Sequence, residues 1–240
     1  MEEIMLSVVT STRNRPECVT RLGTSLHFNG KMEWILMEAS DEPVMFVPGA
    51  QVIRSWPPEG ATKSLNIAFR KAQGKYVMLL ACDVEPYPDT LDRAVKYMES
   101  HPTVGQGALY FRQLSGPGKC HISPWHGWMY ANFFIIRREV GDLVGWFEPT
   151  CKHYAVDNDL SAKVLDAGWG VVGIPGACLK DHDPKDESYQ SNNRQYMGDS
   201  QKIIEPKWAP HQERLARVWK EKWAMMSGPY ECANPEHQYK

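Results

Sequence analysis

Five consecutive apolar residues, Tyr76-Val77-Met78-Leu79-Leu80, run without alternation and are followed almost at once by Asp83, Glu85 and Pro86. A run of this kind fits a strand covered on both faces, as in a parallel sheet. Open α/β sheets collect ligands at the carboxyl ends of their strands. A carboxylate there either holds a hard cation, which can in turn hold a phosphate, or ends the strand in solvent. Both readings stand on this stretch alone.

The flanking chain repeats the pattern. Met5 to Thr10 is β-branched and apolar, and reads as a strand. Ser11 to Arg15 is polar, and Pro16 then opens a helix that runs to His27 and stops at Asn29-Gly30. Trp34 to Met37 is a second strand, ending at Glu38, and Val52-Ile53 is a third. Ser64 to Ala72 is a helix closed by Gly74, and Pro88-Asp89 opens another to Ser100 with Leu91, Val95 and Met98 inward. Strands alternating with helices imply a parallel, doubly wound α/β sheet.

The second half is less regular. We expect strands at Gly105 to Leu114, Ala131 to Ile136 and Gly170 to Ile174, and a mobile loop from Ser115 to Gly127. Gly141 to Pro149 reads as a turn region, Asn158 to Ala167 as a helix, and Lys180 to Pro184 as a polar turn. Residues 184–201 read as loop, and Pro210 to Met226 as a final helix.

With 240 residues, 42% of them hydrophobic, the chain can bury a full core. Its formal net charge of -2 gives no general attraction to nucleic acid or an anionic membrane. No apolar stretch approaches the roughly 18 residues of a membrane helix, so no transmembrane segment is expected. The six cysteines form no CxxC pair and read as reduced thiols, which implies a cytoplasmic protein. Cys120-His121 with His126 fits no common zinc spacing. Gly116 to Lys119 lacks the Ser or Thr of a phosphate loop.

Six pieces in order resemble the family 2 glycosyltransferases of the GT-A fold. They are Val8 to Pro16 with its Thr-x-Asn-Arg turn, Asn66-Ile67-Ala68 leading to Gly74, Cys82-Asp83-Val84, Gly145-Trp146-Phe147-Glu148, Asp157-Asn158-Asp159-Leu160 with Ala167-Gly168-Trp169, and His182. The resemblance covers residues 5–183. It implies a Rossmann-like, mostly parallel central sheet flanked by helices, with a nucleotide-sugar half over 1–100 and an acceptor half over 101–183. Residues 184–240 would be a C-terminal loop and helix packing on the same domain.

The resemblance also implies a chemistry: metal-dependent, inverting transfer of a sugar from a nucleotide sugar, favouring UDP, to an acceptor hydroxyl. A nucleoside diphosphate leaves with developing charge, and a divalent cation, Mn2+ or Mg2+, offsets it. The family's Asp-x-Asp site places Asp83 on that cation. Ala81 replaces the first acid of the motif, and Glu85 is a candidate to compensate. His182 stands where a late histidine completes the metal shell, or is a surface turn residue. Ser11, Thr12 and Arg13 would face the nucleotide base, with Glu38 where the family has an Asp near uracil. Lys63 either reaches the diphosphate or sits in solvent.

The family's catalytic base corresponds to Asp157, supported by Asp159. Both acids also suit a helix start, and the two roles are compatible. Val156 replaces the Glu that the family has before the base. The acceptor is a saccharide, a lipid-linked molecule or a modified nucleic acid base. The last is permitted by Trp208, Trp219 and Trp223 interleaved with Arg214, Arg217, Lys220 and Lys222, although such a stretch more often packs its aromatics on the domain and leaves its charges in solvent. Ala81 and Val156 also leave a catalytically silent sugar- or protein-binding relative as a rival.

Overall fold

The computed structural model describes residues 3–43, 46–114, 119–182, 198 and 201–232. The first strand is β1 (Leu6–Thr12), followed by α1 (Pro16–Ser25), β2 (Met32–Glu38) and β3 (Ala50–Arg54). Next come α2 (Ala61–Lys71), β4 (Tyr76–Leu79), β5 (Val84–Pro86), α3 (Thr90–Ser100) and β6 (Val104–Gln113). A small hairpin, β7 (Pro124–Trp125) with β8 (Trp128–Met129), precedes β9 (Phe134–Arg137), α4 (Arg138–Val144), α5 (Val156–Asp166) and β10 (Gly170–Asp181). Residues 201–208 form α6, and a 3-10 turn at Ala209–His211 leads into α7 (Gln212–Lys222).

Eight strands make one sheet in the order β3-β2-β1-β4-β9-β6-β10-β5. The pairs β1–β2, β2–β3, β1–β4 and β6–β10 are parallel. Strand β9 runs antiparallel between β4 and β6, and β5 runs antiparallel on β10. This mostly parallel sheet flanked by helices bears out the α/β architecture. All four residues of β4 are buried, as an unbroken apolar run at the sheet centre requires. Helix α3 buries Leu91, Ala94, Val95 and Met98, one stripe at helical spacing.

Two of the sequence pieces meet in space. Asn66 of α2 donates from Nδ2 to the Phe147 carbonyl and accepts the Phe147 N–H on Oδ1, both at 3.1 Å. Phe69, one turn on, stacks on Trp146 with ring centroids 4.7 Å apart. Gly145 makes this possible, since it closes α4 in the left-handed region at φ 86°.

Several expectations are corrected. The turn expected from Gly141 begins as helix: Gly141 lies inside α4, bare of side chain where the Trp146 ring packs. Lys180 and Asp181 are not a turn but the end of β10, paired with Glu85 and Val84. The stretch expected as loop from Ser115 carries strand bridges and the β7–β8 hairpin where it is described. Cys120 and Ile122 are buried, and His121 bridges Phe111 and Glu231. Residues 115–118, and the expected loop at 184–201 except residues 198 and 201, lie outside the described residues.

The C-terminal aromatics are core, not a stacking platform. Trp208, Trp219 and Trp223 are all buried. The Trp219 indole donates to the Val171 carbonyl at 2.7 Å, and the Trp223 ring fills the place where Gly170 has no Cβ. Burying each such ring contributes on the order of 4 kcal/mol before entropy is counted. No helix among the described residues is long and apolar enough to cross a membrane.

Candidate functional site

A cavity of about 550 Å³ opens along one edge of the sheet. Ser11, Thr12 and Arg13 reach it from the end of β1, Ala39 from β2, and Ala81, Cys82 and Asp83 from β4. Gln113 and Asp181 end β6 and β10 at the same edge. Because β9 is antiparallel, it presents its opposite end there, with Asn132 and Phe133.

The turn after β1 delivers two cations. Asn14 adopts the left-handed region at φ 55°, which Asn tolerates better than most residues. It is pinned by Ser40 Oγ, which accepts the Asn14 N–H at 2.7 Å, and by a two-way bond with Asp41. Arg13 and Arg15, on either side, both line the cavity. Arg15 Nη1 lies 2.8 Å from Asp83 Oδ2. In the sequence, Arg15 reads as the last residue of the Thr-x-Asn-Arg turn, with no role at the site assigned to it.

The metal candidates divide into two clusters. Asp83 belongs to the cavity with Arg15. Glu85 instead pairs with Lys180 at 2.6 Å and with His182 Nε2 at 3.0 Å. Burial would raise the Glu85 carboxyl, but the Lys180 and His182 hydrogen bonds and charges outweigh it and hold it below the usual range. The two clusters touch through backbone, His182 N–H donating to the Asp83 carbonyl at 3.0 Å. Among the described residues no three His, Cys, Asp or Glu side chains form a ready-made cage. A divalent cation carried in with a diphosphate needs only one or two carboxylates, the rest of its shell being phosphate and water. Asp83, with Asp181 on the same cavity wall, fits that type of site.

Glu38 and Lys63 fall away from the cavity lining. The Glu38 side chain is fully buried, ion-paired to Arg54, and accepts the Ser40 N–H at 2.8 Å. Lys63 pairs with Glu59 at 2.5 Å, both side chains being more than half exposed. Such a pair contributes little. Lys63→Ala is therefore expected to leave nucleotide affinity within a factor of about two and stability within about 0.5 kcal/mol. Isothermal titration and urea unfolding check this.

The acids of α5 separate. Asp157 accepts Asn132 Nδ2 at 2.9 Å on Oδ2 and the Asn158 N–H at 3.0 Å on Oδ1. Burial pushes its carboxyl up to about 6, against the lowering pull of these donors. Asp159 is fully buried and faces the other way. Its carboxylate meets Lys163 at 2.8 Å, Lys207 at 2.7 Å and the Trp208 indole N–H at 2.8 Å. It braces α5 against α6; neither acid is itself in the cavity lining, but Asp157 is bonded to Asn132, which is.

Sequence reasoning missed Asn132, Phe133, His153 and Tyr154 as cavity residues. His153 is kept neutral: burial, and then the nearby Arg13 charge, push its imidazole down to about 4. It therefore adds no cation to the two arginines at neutral pH.

Three comparisons bear on this cavity. The family model described as Glycosyl transferase family 2 matches residues 35–155. Among solved structures, the mannosyltransferase PcManGT of Pyrobaculum calidifontis, in complex with GDP-Man and Mn2+, is similar at 17% identity with a TM-score of 0.66. The match covers 90% of this chain and 70% of that one. S. aureus TarS 1–349 in complex with UDP-GlcNAc is similar at 15% identity with a TM-score of 0.69, over 93% of this chain and 74% of that one. In a longer TarS structure the match covers 42% of that chain. At these identities the likeness shows the fold. No protein of curated function matches the chain by sequence.

Proposed function

This chain belongs to glycosyl transferase family 2, and from that membership we propose that it moves a sugar from a nucleotide sugar to an acceptor hydroxyl with inversion, Asp157 acting as base. One observation carries the reading. One cavity is lined by Asp83, Arg13 and Arg15 and also by Asn132, and Asn132 ties to it the carboxyl of Asp157, which stands just behind the lining.

The acceptor oxygen attacks the anomeric carbon from the face opposite the diphosphate. Asp157 takes the hydroxyl proton as that bond forms, and the bond from carbon to diphosphate oxygen breaks. Arg13 and Arg15 offset charge arriving on the diphosphate. A divalent cation, held by Asp83 together with the diphosphate, would supply further neutralisation of the leaving group. Residues 1–100 would serve the donor and residues 101–183 the acceptor. PcManGT was solved with GDP-Man and TarS with UDP-GlcNAc, and a UDP-sugar is the first donor to test here. The acceptor is a saccharide or lipid-linked hydroxyl. The nucleic-acid alternative drew on Trp208, Trp219 and Trp223, which are spent in the core.

Thermal unfolding with UDP, with and without Mn2+, tests donor and metal together. At a ligand concentration of 100 times Kd, binding adds about 2.7 kcal/mol of stability. We expect that gain in the native protein only with Mn2+, and its loss in Asp83→Ala. Equal stabilisation of Asp83→Ala would remove Asp83 from the metal site. No response to UDP, GDP or their sugars would remove the donor reading.

A further inference from the structure

Asn132 lies in the cavity wall immediately before β9. Its Nδ2 holds Asp157 Oδ2, while the Asn158 N–H holds Oδ1. One residue earlier, the Ala131 N–H donates to Ser161 Oγ at 3.2 Å, and Ser161 is fully buried. Asp157 and Ser161 are four apart in α5, so they share one helical face. That face is fastened twice to residues 131–132.

The geometry points to Asn132 as the positioning residue of Asp157, fixing the carboxylate's rotation so that its remaining lone pairs meet the acceptor hydroxyl. This rests on the reading of Asp157 as the base. The amide orientation follows from the partner: a carbonyl oxygen facing a carboxylate would be repelled, so the NH2 must face it. A neutral amide also suits the task better than a cation. Lys or Arg there would orient the carboxylate but lower its basicity by neutralising it. Asn132 orients it with a proton it does not give up.

The other groups around Asp157 do not substitute. Tyr130 is near enough for the Asp157 charge, after burial, to push its phenol up, but its side-chain hydrogen bonds go to Ser123 and Asn132. Asp159, Lys163 and Lys207 form their own ion-paired group on the other side of α5.

Carboxyl 13C NMR on the folded protein tests this without knowledge of donor or acceptor. The Asp157 resonance is assigned by its loss in Asp157→Asn. A hydrogen bond to a charged group is worth enough to move a carboxyl by about one to two pH units. In Asn132→Ala the Asp157 titration is expected to rise by that amount. Asn132→Gln, which keeps an NH2 donor, should lie between. Asn132→Ser replaces the alanine variant if that does not fold, with a shift in the same direction. In single-turnover transfer from a UDP-sugar, the acid limb of the pH profile should move with the titration. An Asp157 titration unchanged in Asn132→Ala would overturn the inference. So would a slower rate whose acid limb stays in place, because that is what a structural role alone produces. Undiminished transfer by Asp157→Asn would overturn the base reading itself, a result the Asn132 titration cannot mimic.

Discussion

Asp157→Asn is expected to slow sugar transfer by roughly two to four orders of magnitude while donor affinity stays near normal, because a base acts on the transition state and not on donor binding. The amide keeps the shape of the carboxyl and can still serve the start of α5. The native rate should rise as pH climbs through about 6, where the Asp157 carboxyl ionises. The variant should lack that limb.

Stability carries the opposite sign. Burial raises this carboxyl above its unfolded value, so the fold prefers the neutral acid. That contribution is fully present below the usual carboxylate range and is lost as pH rises to about 6. The neutral amide of the variant suffers no such loss. Asp157→Asn should therefore gain on the native protein in melting temperature across that window and hold the gain at neutral pH. Single-turnover transfer and melting curves across pH measure both. A transfer rate equal to native would move the base elsewhere. A melting difference that does not vary with pH would show that Asp157 is not desolvated.

Asp159→Ala is expected to cost stability instead, about 3 kcal/mol. The carboxylate it removes is fully buried and serves Lys163, Lys207 and the Trp208 indole at once. Lys207 can turn to solvent and Lys163 keeps the Trp146 carbonyl at 3.0 Å, but the buried indole N–H is left without its acceptor. Asp159→Asn keeps an oxygen for the indole and should lose less. Urea midpoints resolve the order, and transfer by the folded variants should stay near native. If Asp159→Asn instead loses transfer while Asp157→Asn does not, the two acids exchange roles.

Arg15, Asn132 and Asp159 show where local reading ends. The sequence by itself determined the features that period and composition set. The unbroken apolar run at Tyr76 fits a central strand, and β4 is one. The stripe of Leu91, Val95 and Met98 packs on the sheet as its period implies, and Asp83 stands at a strand end that lines the cavity, one of the two readings that stretch allowed. Gly74 marked a real stop, because an element boundary is a property of a few neighbouring residues.

The tertiary structure decided which acids work together. Asp157 and Asp159 are two residues apart, so helical geometry turns them to different neighbours, one toward Asn132 and one toward Lys207 and Trp208. Asn132 lies 25 positions from Asp157, and Trp208 lies 49 positions from Asp159. Glu85 looked like an extra metal ligand until β5 paired with β10 and brought it Lys180 and His182. Glu38 looked available to a base until Arg54, one strand over, closed on it. The tryptophans near the C-terminus alternate with cations as a nucleic-acid platform would. Only the bare Cα of Gly170 and the Val171 carbonyl, far back in the sequence, show that the core claims two of them. Such pairings depend on strand order and register, which chemical character along the chain does not encode locally.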